Sequence, residues 1–337
     1  MSKVFDRTFE LHSSSIVEEL REFLTKDVFV GEEVKEFGKL TGGLTNLLYK
    51  AKVGDKTVLV RINGVGTETI IDRDKEIEYM LLLGEHRLSA EIYAIYNNGY
   101  VYEFIEGEAL SPEEMPLHAE LIAKKVAEFH DAPITPKTGD KSPTVFKTIK
   151  RWLNDVKSFE YKGEKKEKMA KIDLNRLYKE TEDLEQLLKN CEVGFCHNDL
   201  LSLNILYNKE NNQINFIDYE YCGYNYRSFD IGNHFSEHAG FDLKFDRFPD
   251  HNQQKKFVSA YLEGRHAKKP SDEEVEKLVA EVGVFSNIAN IFWGVWALSQ
   301  AYHSEIDFDY LDYGGKKINW FYERKDELDR NYRKHNQ

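Results

Sequence analysis

A short polar cluster inside an apolar stretch constrains this chain more than any other feature of its sequence. The stretch GFCHNDLLSLNILYN runs from Gly194 to Asn208, and its polar residues His197, Asp199 and Asn204 stand among Leu, Ile, Phe and Tyr. The short apolar runs on either side predict two buried strands. A loop held between such strands presents Asp199 and Asn204 to one small volume. A plain polar turn is the alternative explanation of the same pattern.

The spacing within this loop suits the transfer of a phosphoryl group. Asp199 begins the pattern D-L-x-x-x-N, which ends at Asn204, and His197 precedes it by two positions, as in the catalytic loop of phosphoryl-transfer enzymes. In such a loop the Asp accepts or orients the proton of an attacking hydroxyl, and the Asn places a neutral oxygen on a metal ion. Asp218 ends the apolar segment INFID, where kinase-like enzymes carry a metal-binding Asp. Asn204 and Asp218 therefore predict a Mg²⁺ site, although a capping or turn residue is the alternative for Asp218.

Strand-like and helical patterns divide the sequence near residues 105–110. The segments VKEFGKL, LTNLLYKAKV, KTVLVRING, AEIYAIYNN and GYVYEFIEG predict five antiparallel strands, with one helix over Arg73–Gly84. Another helix, Ile16–Leu24, precedes them. The helices predicted after Gly107 are Leu117–His130, Val145–Leu188, Gln253–Leu262, Asp272–Val282 and Phe285–His303. The sequence therefore predicts an α+β fold with a strand-rich first lobe and a larger, mainly helical second lobe.

Two features of the strand-rich part fit the binding of phosphates. The segment KLTGGLTNLLYK places Gly42 and Gly43 between two strands, where a Gly pair lets the backbone approach phosphates, although hairpin turns use such pairs as well. Arg61 is the one charge in the apolar strand VLVRI, where protein kinases carry a Lys that pairs with ATP phosphates and with a helix Glu. Glu76 is the corresponding helix residue, and the guanidinium fork can serve phosphates. An outward-pointing edge-strand Arg is the alternative, but the ordered series of motifs is more specific than any member.

Aromatic and acidic residues in the second half predict a site for an organic cation. Glu237 lies in the segment DIGNHFSEHAGF, and Trp293 and Trp296 are three residues apart, hence on one face of a helix. Phe308 and Tyr313 follow, and the segment DYEYCGYNY adds four Tyr residues. Aromatic faces together with a carboxylate bind organic ammonium groups. An aromatic core is the alternative explanation of this cluster.

Charge and cysteine content exclude several classes of protein. The formal net charge is −13 and no basic stripe is visible, which argues against a nucleic-acid binder. The three cysteines, Cys191, Cys196 and Cys222, form no CxxC pair and predict reduced structural thiols in the cytoplasm. The opening residues MSKVFDRTFE lack the apolar segment of a signal peptide. The sequence contains no uninterrupted run of about 18 apolar residues, so no membrane insertion is expected.

Together these motifs resemble those of the choline/ethanolamine kinase family. The resemblance rests on GGLTN, VLVRING, CHNDLLSLNIL, FIDYEYCGYNYRSFDIGNHFSEHAG and FWGVWALSQA followed by IDFDYLDY, within residues 35–322. It implies a two-lobed, protein-kinase-like fold of the aminoglycoside/choline kinase type. An ATP-binding lobe would span residues 1–104, with a peripheral helix in residues 1–30, and a hinge would span residues 105–110. A catalytic and acceptor-binding lobe would span residues 111–337, and the implied activity is Mg·ATP-dependent phosphorylation of an amino alcohol.

The resemblance also implies roles for individual residues. Asp199 is the implied catalytic base, Asn204 and Asp218 are the implied magnesium ligands, and Glu103 lies at the adenine hinge. The implied ATP-binding residues are Thr41, Gly42, Gly43, Leu44, Thr45, Asn46, Arg61, Glu76, Glu103 and Ile105. The implied acceptor-binding residues are Asp199, Tyr221, Glu237, Trp293, Trp296, Phe308 and Tyr313.

The segment after Glu237 favours ethanolamine over choline as the acceptor. A quaternary ammonium has no N–H group and needs aromatic faces, whereas a primary ammonium donates three hydrogen bonds. The sequence EHAGFD resembles the EFAG version of the ethanolamine branch, and choline kinases carry a bulkier run such as EWMYDY. Both branches share Trp293, Trp296 and YLDY, so a choline kinase or a dual kinase is the alternative. Asn290 departs from the family pattern SHFFW, which predicts His at this position.

The predicted activity is therefore that of an ethanolamine kinase, the first step of the CDP-ethanolamine route to phosphatidylethanolamine. Relatives that dimerise make a homodimer a further expectation. An aminoglycoside-type phosphotransferase shares the catalytic loop, but nothing in the sequence favours a large polycationic sugar. A kinase-like binding module without activity is disfavoured, because Arg61, Asp199, Asn204 and Asp218 are all present.

Overall fold

The chain divides by its internal contacts into two units. The structure, a computed structural model, describes residues 2–11, 13–40, 46–64, 72–304 and 306–336. The first unit comprises Met1–Gly107 and Ile217–Tyr221, and the second comprises Glu108–Phe216 and Cys222–Gln337. The short segment Ile217–Tyr221 thus belongs to the first unit. The predicted lobe boundaries, and their division into ATP and acceptor binding, stay predictions.

The first unit is built on a six-stranded mixed sheet with the strand order β1-β5-β6-β4-β3-β2. Its strands are β1 (Lys3–Phe5), β2 (Val34–Leu40), β3 (Leu47–Val53), β4 (Lys56–Ile62), β5 (Ile92–Tyr96) and β6 (Gly99–Glu103). The five predicted strands are confirmed and pair antiparallel. The expectation of a purely antiparallel sheet is wrong, because β1 joins the edge parallel to β5. β1 has only three residues, and buried and exposed side chains do not alternate along it, so its sequence cannot be recognised as a strand.

The two faces of this sheet have different partners. Val58, Val60 and Ile62 of β4 are buried in a core that includes Phe9 and Phe23. Helix α1 (Ile16–Phe23), which continues as a π-helical turn, contributes to this core. Side chains alternate along a strand, so Arg61 lies on the opposite face from Val60 and Ile62. That face carries the ion pair between Arg61 and helix α2 (Arg73–Glu85), whose first turn is capped by the Asp72 carboxylate.

The second unit is mainly helical. Its helices are α3 (Ala119–Asp131), α4 (Val145–Ser158), α5 (Gly163–Met169), α6 (Leu174–Leu188), α7 (Arg227–Glu237), α8 (His251–His266), α9 (Asp272–His303) and α10 (Tyr310–Asn336). The three-stranded sheet consists of β7 (Glu108–Ala109), β9 (Ile205–Asn208) and β10 (Gln213–Phe216) in the order β10-β9-β7. Strands β8 (Val193–Cys196) and β11 (Gly223–Tyr226) form an antiparallel pair. With this mixture of sheet and helix, the predicted α+β class is confirmed.

Helix α9 corrects the prediction of two separate helices. It runs unbroken through Gly283, where a break was expected, and a Cβ at this position would lie 3.2 Å from Leu328 Cδ2 of α10. Its most apolar window has a mean hydropathy of 1.4, which is high enough for a membrane span by composition and length, but 89% of that window is buried within the protein. The helix is therefore explained as the central core helix of the second unit.

The second unit also corrects the long helical segment predicted over Val145–Leu188. This segment forms three helices, α4, α5 and α6, which are separated near Tyr161 and Ile172. The segment is rich in charged residues, so its pattern of apolar residues did not reveal where one helix ends and the next begins. The cysteines agree with the prediction: Cys191, Cys196 and Cys222 are free thiols.

Candidate active site

The predicted catalytic loop lies in the second unit between strands β8 and β9. Asp199 and Asn204 are both buried, and Asn204 ends a short 3₁₀ turn that begins at Ser202. The Asn204 Nδ2 donates to the backbone oxygen of Asp199 at 2.9 Å and to its carboxylate Oδ2 at 3.0 Å. Because the amide nitrogen is directed to Asp199, the Asn204 Oδ1 is the atom left to bind a cation. The loop thus presents two carboxylate oxygens and one amide oxygen together.

Asp230 of α7 holds the backbone of this loop. Its two carboxylate oxygens accept from the backbone N–H groups of His197 and Asn198, each at 2.8 Å. Burial by itself raises the pKa of Asp230, but the hydrogen bonds from His130 and from the His197 amide lower it below its usual value. Asn198 adopts a left-handed conformation with φ of 67°, which a short polar side chain tolerates. One buried, ionised carboxylate therefore fixes the turn that precedes Asp199.

A second layer of polar contacts supports Asp230. The His130 Nε2 of α3 donates to Asp230 Oδ2 at 3.0 Å, and the Tyr261 hydroxyl of α8 bonds to His130 Nδ1 at 2.8 Å. Complete burial lowers the pKa of His130, so the ring is neutral and its Nδ1 accepts from Tyr261. The ligand atoms of His130, Cys196 and Asp230 lie within 4.8 Å of one another, as three ligands of one metal ion would. These hydrogen bonds already explain the arrangement of the two polar residues.

The first unit carries a buried charge cluster around Arg61. The Arg61 Nη1 donates to Glu76 Oε1 at 2.9 Å and to the Tyr100 hydroxyl at 2.9 Å. Arg73 donates to Glu76 Oε2 at 2.8 Å and lies 3.5 Å from a carboxylate oxygen of Glu220. Burial alone would lower the pKa of Arg61, but the neighbouring Tyr100 and Glu76 raise it, so the guanidinium stays charged. The strand cation and the helix acid that the sequence paired are thus in contact.

Asp218 and Glu220 belong to the same unit, in the segment Ile217–Tyr221. Asp218 is exposed and has a φ of 65°, an uncommon conformation for a residue other than Gly. Burial, together with the charges of Asp218 and Glu76, raises the pKa of Glu220 to about 7. Arg73 and Glu220 were missed in the sequence because nothing local shows that residues 147 positions apart meet. An amide oxygen and a carboxylate oxygen are ligand types that suit Mg²⁺, and the roles of Asn204 and Asp218 as its ligands stay predictions.

The remaining residues predicted to bind ATP lie partly within and partly outside the described part of the chain. Thr41, Gly42, Gly43, Leu44 and Thr45 lie outside the described residues. Asn46 is half-buried, and its Oδ1 accepts from the backbone N–H of Gly64 at 3.2 Å. Glu103 ends β6 with an exposed side chain, and Ile105 follows it half-buried. The roles of all these residues in ATP binding stay predictions.

Glu237, a predicted acceptor residue of the second unit, forms a buried ion pair with a lysine. Glu237 ends α7, and its Oε1 accepts from Lys317 Nζ of α10 at 3.1 Å. Both residues are buried, and Lys317 Nζ also lies 5.4 Å from the ring centre of Tyr313. Burial raises the pKa of Tyr313 well above its usual value, and the charges of Glu237 and Asp199 raise it further. Tyr313 therefore lies within the electrostatic reach of both carboxylates.

Aromatic rings extend from this ion pair along α9 and α10. Trp293 and Trp296 meet edge to face at 5.6 Å, and the Trp293 Nε1 donates to Asn233 Oδ1 at 2.6 Å. Phe308, which is 38% exposed, packs edge to face on Tyr313 at 5.5 Å. The Trp296 Nε1 is buried and has no hydrogen-bond partner among the described residues. The expected aromatic group with a carboxylate beside it is present in this unit.

Three details refine the predicted acceptor residues. Tyr221 belongs to the first unit, so its part in acceptor binding stays a prediction. Asn290, at the position where His was expected, is buried and accepts from the Ser236 hydroxyl at 3.2 Å. Lys317 was missed, although it follows Tyr313 by one helical turn and could have been placed on the same helix face.

A loop Asp with a nearby Asn, and a strand Arg paired with a helix Glu, define a kinase-like phosphotransferase. A family model described as choline/ethanolamine kinase matches residues 37–322. A probable ethanolamine kinase A from Dictyostelium discoideum is 37% identical over 303 residues, which cover 86% of this chain and 85% of that protein.

Two solved structures extend this similarity. An ethanolamine kinase from Plasmodium vivax superposes with a TM-score of 0.79 at 29% identity, covering 94% of this chain and 95% of that one. A choline kinase from Cryptosporidium parvum superposes with a TM-score of 0.71 at 25% identity, covering 87% and 89%. The chain belongs to the choline/ethanolamine kinase family. It is thus an ATP-dependent phosphotransferase, as predicted.

Proposed function

We propose that this chain is an ethanolamine kinase, which transfers the γ-phosphoryl group of ATP to ethanolamine and releases phosphoethanolamine and ADP. One observation carries the proposal. The second unit holds two buried carboxylates, Asp199 in the loop after β8 and Glu237 beside the aromatic residues of α9 and α10, and the charges of both raise the pKa of Tyr313. Such a pair suits an acceptor with a hydroxyl at one end and an ammonium at the other.

Asp199 performs the proton chemistry. Its Oδ2 is held by Asn204, and the loop before it is held by Asp230. The ionised carboxylate accepts a hydrogen bond from the acceptor hydroxyl and takes its proton as the new O–P bond forms. The bond between the γ-phosphorus and the ADP oxygen breaks in the same displacement. Most of the acceleration comes from positioning and fixed charges.

Positive charge for the phosphates comes from the chain and from a cofactor. Glu76 fixes Arg61 in a buried position, where its guanidinium binds phosphate oxygens. Asn204 and Asp218 are the residues that would each offer a side-chain oxygen to Mg²⁺. When bound, this ion neutralises charge on the phosphates.

The acceptor ammonium binds near Glu237. A primary ammonium donates hydrogen bonds, and Glu237 and the aromatic rings around Tyr313 supply an acceptor and π faces. After Glu237 and the buried His238, two small residues, Ala239 and Gly240, precede the exposed Phe241. Relatives named as ethanolamine kinases support the same acceptor.

Choline is the second candidate acceptor. Trp293 and Trp296 offer aromatic faces of the kind that quaternary ammonium groups need. The similarity to a choline kinase structure favours the same alternative.

An ADP-release assay with each amino alcohol tests the proposal. The purified chain is supplied with Mg·ATP and a concentration series of ethanolamine or choline, with a sample lacking acceptor as the control for ATP hydrolysis. We expect a higher kcat/KM for ethanolamine. A higher value for choline reverses the assignment. If neither acceptor raises ADP release above the acceptor-free control, the chain is not an amino alcohol kinase.

A further inference from the structure

Lys317 and Glu237 form a buried ion pair that occupies one oxygen of the Glu237 carboxylate. Lys317 Nζ engages Glu237 Oε1 at 3.1 Å, and both side chains are nearly inaccessible, with 1% and 7% of their side-chain surface exposed. Among the described residues no other side chain donates to Glu237, so Oε2 is the oxygen left for a ligand. One of the two carboxylate oxygens of Glu237 is thus already bound by a cation of the protein.

The pair brings one negative and one positive charge together, so it is neutral before an acceptor binds. An acceptor ammonium at Glu237 adds a second positive charge to this buried site. The same ammonium is placed near Lys317, because both cations share one carboxylate. This repulsion is not diluted by water as it would be at an exposed site.

We propose that Lys317 is a specificity-determining residue, which favours a primary ammonium over a quaternary one at Glu237. This inference rests on the proposed function, since it concerns the acceptor of that reaction. Lys317 acts through Glu237 and is a positioning residue, not a catalytic one.

The selection follows from what each ammonium can gain. An ammonium with N–H groups offsets the repulsion by a short, charge-assisted hydrogen bond to Glu237 Oε2. A trimethylammonium has no N–H group, and its methyl groups hold the nitrogen away from the oxygen, so it meets the repulsion without the hydrogen bond. Lys317 thus adds a repulsive element against the wrong acceptor, which is a general route to specificity.

A purely structural role for Lys317 makes a different prediction. The pair joins α7 to α10, and its loss would leave a buried carboxylate without a partner, which destabilises a fold. Destabilisation reduces the folded fraction equally for every substrate. The ratio of kcat/KM values for two acceptors, measured on one preparation, does not depend on that fraction and separates the two roles.

The experiment compares Lys317→Met, Lys317→Arg and the control Lys316→Met. Met keeps much of the length of Lys without the charge, and Arg keeps the cation. Lys316 is the adjacent, exposed lysine, which pairs with Asp312 on the helix surface. The acceptors are ethanolamine, N-methylethanolamine, N,N-dimethylethanolamine and choline, in which the N–H groups fall stepwise from three to none.

We expect the wild-type kcat/KM to fall along this series. In Lys317→Met the ratio of ethanolamine to choline should shrink by about tenfold or more, mainly through KM, while the KM for ATP is unchanged. Lys317→Arg and Lys316→Met should keep the wild-type ratio. An unchanged ratio in Lys317→Met, with both acceptors losing activity equally, overturns the inference. A wild-type enzyme that uses neither amine or prefers choline contradicts the proposed function instead.

Discussion

Asn204 donates its side-chain amide to the Asp199 carboxylate at 3.0 Å. This contact orients both residues at once, because the nitrogen of Asn204 faces Asp199 and its oxygen is left for a cation. The proposed base and the proposed metal ligand therefore form one rigid unit. The D-L-x-x-x-N spacing has this result only because a 3₁₀ turn brings Asn204 back to Asp199.

Replacement of the Asp199 carboxylate should abolish turnover without unfolding the protein. An Asn at this position can still bond to Asn204, but it cannot take the proton of the acceptor hydroxyl. We expect Asp199→Asn to lower kcat by about 100-fold or more, with a melting temperature close to the wild-type value. The control is Asp326→Asn, since the Asp326 side chain is 91% exposed. Near-normal turnover in Asp199→Asn would refute the assigned base.

The buried carboxylate of Asp230 should matter for both stability and rate. Asn in its place presents one oxygen and one N–H group to the two backbone amides, so one of these amides loses its acceptor. We expect Asp230→Asn to lower the free energy of unfolding by about 3 kcal/mol, at the upper end for hydrogen bonds to a charged group. Urea unfolding measures this loss. A kcat that falls further than the folded fraction would show that the loop before Asp199 has moved, and an unchanged stability would contradict the role of Asp230.

Adjacent glycines in α10 give a matched test of how closely the two longest helices pack. A Cβ at Gly314 would lie 2.8 Å from the backbone oxygen of Gly294 in α9, whereas a Cβ at Gly315 would meet nothing within 4 Å. We expect Gly314→Ala to destabilise the protein by about 1–3 kcal/mol. Gly315→Ala should stabilise it by up to about 1 kcal/mol, because Ala favours a helix.

Thermal or urea unfolding compares the two glycine variants. Because Gly314 adjoins Tyr313, Gly314→Ala should also raise the KM for the acceptor. Equal effects of the two substitutions would mean that the close approach of α9 and α10 is absent.

Buried histidines should make the protein lose stability as the pH falls. Burial lowers the pKa of His234 to about 4 from an ordinary value of 6.5. Below pH 6.5 the unfolded chain takes up this proton while the folded chain does not, so stability is lost between pH 6.5 and 4. Between pH 7.5 and 5 this one group should cost about 2 kcal/mol. Burial lowers the pKa of His130 and His238 as well, so their effects have the same sign.

Urea unfolding at several pH values measures this dependence. His234→Asn should reduce the loss of stability towards pH 5, and the matched His266→Asn change at an exposed position should leave the wild-type slope. A slope that is the same in His234→Asn and in the wild type would show that His234 takes up its proton equally in both states.

Local patterns determined much of this protein. Alternating apolar residues located the five strands around Arg61, and the order of Arg61, Glu76, Asp199, Asn204 and Asp218 indicated a phosphotransferase before any coordinates. Each of these signals lies within a few consecutive residues, where the periodicity of a strand or helix can be recognised directly in the sequence. The edge strand β1 and the unbroken α9 were missed, because three residues carry no period and a Gly within a helix looks like an end.

Beyond the predicted Arg61–Glu76 pair, tertiary structure alone decided which charges meet. Asp230 reaches the amides of the catalytic loop across more than thirty positions, and Lys317 reaches Glu237 across 80. No local period encodes such pairings, since they depend on how α7 and α10 pack. The sequence by itself therefore determined the class of chemistry and the candidate residues for it. The packing of α7 and α10, which buries two opposite charges side by side, decided that the Glu237 carboxylate already has a partner.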